Sequence, residues 1–226
     1  KSGILLNLTH KKLLFKNDVA SLDIVLGDNF RYNFDYFLDN GFHISYGFRS
    51  YYTQFNRNLS ADYSVGELME LFGLTSINFD YSDFTNQVYL QTIFAQRFMI
   101  AGGAELKHIK IKSETIPGLD PVFENSEYFS LFANIKFDSY DNKYFPKEGW
   151  YLSAEAKGFL SSSNYTGEFT RFTLLKGEIG TAKKLLRNVT LKLQAETGFT
   201  IGEETVATFD FIFGGYGYHM TNNFRQ

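Results

Sequence analysis

The chain has 226 residues and a formal net charge of −3, with 25 Phe, 15 Tyr and no Cys. That balance offers no basic surface for a nucleic-acid partner, and it excludes disulfides and thiolate metal sites. No run of 18 apolar residues occurs, so no transmembrane helix is expected.

From the N-terminus, period-two alternation predicts strands over 3–15, 19–26, 30–38 and 42–56. Even positions carry the apolar side: Ala20, Leu22, Ile24 and Leu26, then Phe30 to Leu38, then Phe42, Ile44, Tyr46 and Phe48. Three-residue turns at 27–29 and 39–41 would set Leu26 against Phe30 and Leu38 against Phe42, keeping that side continuous. One long strand bulged at 27–29 is the competing reading. Residues 57–74 read as an insertion in which 65–71 could form a short helix. Further strands are predicted over 75–81, 86–95, 98–112, 127–138, 149–160, 168–183, 189–200 and 207–213, with 75–81 and 86–95 alternatively one strand.

A soluble β-sandwich and a transmembrane β-barrel both produce half-buried strands. Three features favour the barrel. Many predicted strands reach the ~9 residues needed to cross a bilayer, whereas soluble strands average ~5–6. Helix is nearly absent. Aromatics crowd strand ends: Tyr51, Tyr52 and Phe55 in one place, Tyr140, Tyr144, Phe145, Trp150 and Tyr151 in another. The expected fold is therefore all-β, an antiparallel transmembrane barrel, with these aromatics at the lipid headgroups. Asp138, Asp141, Asn142, Pro146 and Gly149 would shape a turn in the adjacent water. Polar strand positions would face a lumen and carry both signs (Glu155 with Lys157, Lys176 with Glu178, Lys192 with Glu196), as an internal salt-bridge network would. In 189–200 this places Leu193 toward lipid and Gln194 toward the lumen.

The stretch from Asp138 through Asp141, Phe145 and Pro146 to Gly149 and Trp150 resembles the Asp-x-x-Asp…Phe-Pro-x-x-Gly turn of the bacterial surface-antigen superfamily. Phe213-Gly214-Gly215-Tyr216-Gly217 resembles the Gly-Gly that opens the long sixth extracellular loop of those barrels, and Val25 to Tyr32 fits an early hairpin. The resemblance implies a bacterial outer-membrane location, contact with membrane lipids and a barrel of roughly sixteen strands. Residues 1–226 would be a single barrel domain holding an incomplete portion of it, from near the second strand into the sixth loop, which would start at 213–226. Assembly and two-partner secretion barrels carry Val-Arg-Gly-Phe/Tyr in that loop. Here Tyr216 to Phe224 lacks the arginine, and the Gly-Gly-Tyr-Gly…Asn222-Asn223-Phe224 form resembles the barrel that follows a patatin-like phospholipase domain. That reading implies a barrel that anchors or exports a patatin-like hydrolase. The partners would be patatin-like and POTRA-type domains outside this chain, with homodimerisation left open. The alternative is the barrel of an assembly or two-partner secretion factor.

No serine has glycine at both −2 and +2; Ser45 has Gly47 after it but His43 before it. His10, His43, His108 and His219 show neither helical pairing nor metal-type spacing with carboxylates. Asp138 and Asp141, three residues apart at a turn, read as capping groups rather than an acid–base pair. Gly214 to Gly217 is not followed by Lys-Ser/Thr, so it is no phosphate loop. No cofactor is expected, and the chain by itself is not expected to be an enzyme, whether or not its parent is a lipid hydrolase.

Overall fold

The computed structural model describes residues 3–27, 29–41, 44–60, 76–113, 122–142, 145–164 and 168–202. They form ten strands: β1 (Gly3–Lys11), β2 (Asp18–Gly27), β3 (Arg31–Asp39), β4 (Ser45–Ser60), β5 (Ser76–Phe94), β6 (Phe98–Ser113), β7 (Val122–Asp138), β8 (Gly149–Ser163), β9 (Phe172–Leu186) and β10 (Val189–Gly202). All ten belong to one sheet in chain order, each paired antiparallel with its neighbour, and β1 and β10 are its two edges. A single layer of this kind is not a sandwich, which needs two packed sheets. Strands β4 to β10 run from 14 to 19 residues, more than a bilayer crossing requires.

Alternation along each strand separates two faces, and the register keeps each face continuous. Val88 and Leu90 on β5, Leu106 on β6, Leu131 and Ile135 on β7, and Leu191 and Leu193 on β10 all stand exposed on the outer face. Their chain neighbours point to the inner face, where Glu105, Lys107, Asp83 and Thr85 are buried. An outer surface this apolar has no aqueous explanation on such a scale. It suits hydrocarbon.

Four local features depart from the sequence expectations. First, β1 stops at Lys11, and Leu13 to Phe15 lie in a turn rather than a strand. The cause is Asp18, whose carboxylate accepts the amides of Leu13 (2.7 Å), Leu14 (2.8 Å) and Phe15 (2.8 Å) and the Tyr36 hydroxyl (2.8 Å). Amides held this way cannot join a ladder. Second, Leu38 pairs with Tyr46 rather than with Phe42, because the connection spans 40–44. Parity is unchanged, so the outer face stays apolar. Third, 75–81 and 86–95 are joined in the single strand β5, whereas β2 and β3 are separate strands with Val25 opposite Arg31, the register that the turn at 27–29 requires. Fourth, residues 57–60 of the expected insertion extend β4. The rest of that insertion, the strand at 207–213, Phe42, His43, Tyr144 and His219 lie outside the described residues.

Candidate functional site in the inner wall

The inner face carries ion pairs between strands. Lys107 Nζ donates to Asp83 Oδ2 at 2.6 Å and to the Tyr51 hydroxyl at 3.4 Å, and Asp83 also accepts from Thr85 Oγ1 at 2.7 Å. On β8, Lys157 Nζ donates to Glu105 Oε2 at 2.8 Å. Glu105 further accepts from Gln87 Nε2 at 2.5 Å and Ser130 Oγ at 3.4 Å. Nearer the sheet edge, Arg49 pairs with Asp35 at 2.7 Å, and Asn7 donates to Asp23. Except for Lys157 with Glu105, these pairs join adjacent strands, where directly opposed inward side chains lie closer than positions i and i+2 on one strand. Glu178 and Glu196 stand directly opposite each other, and Gln194 Nε2 donates to both, at 2.7 and 2.9 Å.

The β7–β8 turn closes one end of this wall. Asp141 Oδ1 accepts the amides of Lys147 (2.8 Å) and Glu148 (3.1 Å), Asp138 Oδ1 accepts that of Tyr140 (3.1 Å), and Asn142 Oδ1 that of Phe145 (3.1 Å). The Asp138 amide in turn donates to the Arg97 carbonyl at 2.8 Å, tying the turn to the β5–β6 connection. Gly149 has φ +122°, and a Cβ there would collide with the Ser139 carbonyl, so only glycine fits. Pro146 is buried, while Phe145 and Trp150 project outward and are exposed. Gly214, Gly215, Gly217, Asn222, Asn223 and Phe224, the other motif, lie outside the described residues.

Not all the turn aromatics point to the headgroups, contrary to expectation. Tyr140 folds inward and stacks on Tyr151 at 6.2 Å and 9°, and both rings carry lysines, Lys192 over Tyr140 at 5.9 Å and Lys136 over Tyr151 at 5.1 Å. A Cβ on Gly180 would sit 2.6 Å from the Tyr140 hydroxyl, so the absence of a side chain there makes room for the ring. Phe55 and Tyr51 likewise face inward, and Tyr52 alone of that group faces out, stacked on Tyr32.

The amides of Glu148 and Lys147 hold the Asp141 carboxyl below the usual carboxylate range. A depressed carboxylate stabilises the fold above its unfolded value, ~3.9, and that contribution is lost as pH falls through the folded value. Asp141→Asn should therefore weaken amide-exchange protection at Lys147 and Glu148 at neutral pH and flatten its loss on acidification. Identical acid profiles for the two proteins would contradict this role.

Among the described residues no group of three His, Asp or Glu side chains could hold a metal. His108 lies 3.9 Å from Glu127, and His10 is exposed on β1. What the geometry defines is a membrane wall: apolar outside, aromatic and ion-paired inside, built from strands long enough to span a bilayer, the arrangement of a transmembrane β-barrel.

The profile of the OMP85 superfamily matches residues 1–226, and the chain belongs to that superfamily. It is an antiparallel β-barrel portion of a bacterial outer-membrane protein. Among solved structures, CdiB from Acinetobacter baumannii is similar in fold, with a TM-score of 0.52 and 13% identity over 89% of this chain and 36% of that one. This chain thus spans about a third of the length of that protein. No curated protein matches it. In barrels of this kind the short turns are periplasmic and the longer loops extracellular. The turns 95–97 and 187–188 therefore mark the periplasmic end, and the opposite ends of the same strands the extracellular one.

Proposed function

We propose that these strands form part of a barrel with which the parent protein inserts polypeptides into the outer membrane or secretes them across it. The observation that carries this reading is membership of the OMP85 superfamily over the whole chain. The patatin-like reading rested on Tyr216 to Phe224, residues outside the described structure, and no feature of the wall itself supports it. The inner wall is suited to a conduit: its described ion pairs are mutually compensated, so a passing chain meets little fixed net charge.

The test uses the full-length parent in cells, with a photoreactive residue at Glu155 or Gln194 on the inner face and at Leu131 on the outer face. Polypeptide adducts should form at the inner positions and not at Leu131. No adducts at the inner positions, together with serine-dependent hydrolysis of lipid esters by the purified parent, would replace this reading with that of a membrane anchor for a hydrolase.

A further inference from the structure

Part of the inner face is apolar. Phe55 on β4, Tyr81 on β5, Ile109 on β6, Tyr128 on β7, Phe159 on β8 and Phe172 on β9 belong to one contiguous cluster, one residue from each of six consecutive strands. None is more than 7% exposed, and Ile109 and Phe159 are wholly buried. The Phe55 and Tyr81 ring centroids lie 4.7 Å apart, Phe159 stacks on Phe172 at 4.7 Å and 14°, and Tyr128 meets Phe159 edge-on at 6.0 Å.

All six lie on the inner side of the register. Tyr81 is opposite Phe55, Ile109 shares its face with Lys107, and Tyr128 is opposite Lys107. Lipid therefore cannot be what buries them. They pack against one another, ring on ring, and leave little room for water along this part of the inner face. The arc lies toward the extracellular ends of its strands. Directly beneath it, on the periplasmic side, Asp83, Lys107, Glu105 and Lys157 form the compensated ion layer, which is itself nearly dry, with side-chain exposures of 1–13% for the lysines and 0–8% for the acids. A barrel that conducts water presents polar groups to its interior. An apolar constriction instead empties of water and blocks ions without a physical plug.

We propose that this six-strand arc is a hydrophobic seal that keeps the extracellular end of the barrel interior closed to water and ions in the resting protein. The proposal is independent of whether the parent transports polypeptide or anchors an enzyme.

Residues 1–226 contain no cysteine, which makes accessibility straightforward to measure. The full-length parent, cleared of any other cysteine, would carry a single one at Ile109 or, as an inner-face control, at Gln194. A charged, water-soluble thiol reagent should modify Ile109→Cys roughly tenfold or more slowly than Gln194→Cys, because a close-packed apolar site admits little water. Adding Phe159→Ala should bring the two rates together. In planar bilayers, Phe159→Ala/Phe172→Ala should raise ion conductance several-fold over the parent. Equal modification rates in the otherwise unaltered barrel would overturn the seal, as would unchanged conductance in the folded double variant. Where the double variant does not fold, the rates at Ile109 and Gln194 decide the matter alone.

Discussion

Lys107→Met should destabilise the folded parent by ~3–5 kcal/mol, the usual cost of stranding one partner of a buried ion pair. Lys107 and Asp83 have side-chain exposures of 1% and 8% and sit 2.6 Å apart. Without the ammonium, Asp83 keeps the Thr85 hydroxyl bond but loses its only cationic partner among the described residues. Burying a carboxylate that one hydroxyl alone supports is unfavourable. Replacing both ends with apolar groups of similar size, Asp83→Leu/Lys107→Met, should recover most of the loss, because neither charge is then buried. Equilibrium unfolding of the four proteins of this cycle gives the coupling directly. A single-variant cost below ~1 kcal/mol, the range of solvent-exposed pairs, would show that water screens the pair and that this layer is wet.

The two faces were legible in the sequence wherever polar and apolar residues alternate. From Val189 to Gly202 the alternation assigns Leu193 outward and Gln194 inward, and the structure agrees: Leu193 stands exposed while Gln194 bridges two inward carboxylates. Strand ends were less legible. Shifting a hairpin from a three- to a five-residue turn preserves parity, so periodicity could not distinguish Leu38 against Phe42 from Leu38 against Tyr46. The end of β1 was hidden for another reason. Asp18 captures three amides from residues that are themselves apolar and strand-like, and no local pattern announces a carboxylate acting from three to five residues downstream.

The inner aromatics were the main omission. Phe55, Tyr128, Phe159 and Phe172 face inward in strands whose outer positions are also partly apolar, so the alternation that identifies faces is weakest where the cluster lies. Aromatic residues near strand ends were assigned to the headgroup region; Phe145 and Trp150 are exposed on the outside, but Tyr51, Phe55, Tyr140 and Tyr151 face inward. Glycine held a signal that could have helped. Gly180 is an inward position without a side chain, and the Tyr140 ring fills the space it leaves. The cross-strand ion pairs could not be read from one strand at a time, because Lys157 and Glu105 are 52 positions apart.

The central claim, a wall with lipid on one side and a polar interior on the other, is tested most directly by placing the same charge on each face. Leu131 is outward and near the middle of the 17-residue β7, with Ala104 and Gly158 as its outer cross-strand neighbours. Leu193 is outward but only four residues from the periplasmic start of β10. Gln194 is inward, between Glu178 and Glu196. Arginine on the lipid face costs ~2–4 kcal/mol at the midplane and falls to ~0–1 near the interface. At Gln194 the guanidinium would instead meet the two carboxylates to which the amide now donates. Unfolding of the full-length parent in lipid vesicles should rank Leu131→Arg as the most destabilising, Leu193→Arg as intermediate, and Gln194→Arg as neutral or stabilising. Equal losses at Leu131 and Gln194, or a greater loss at Gln194, would contradict the assignment of the two faces and with it the barrel.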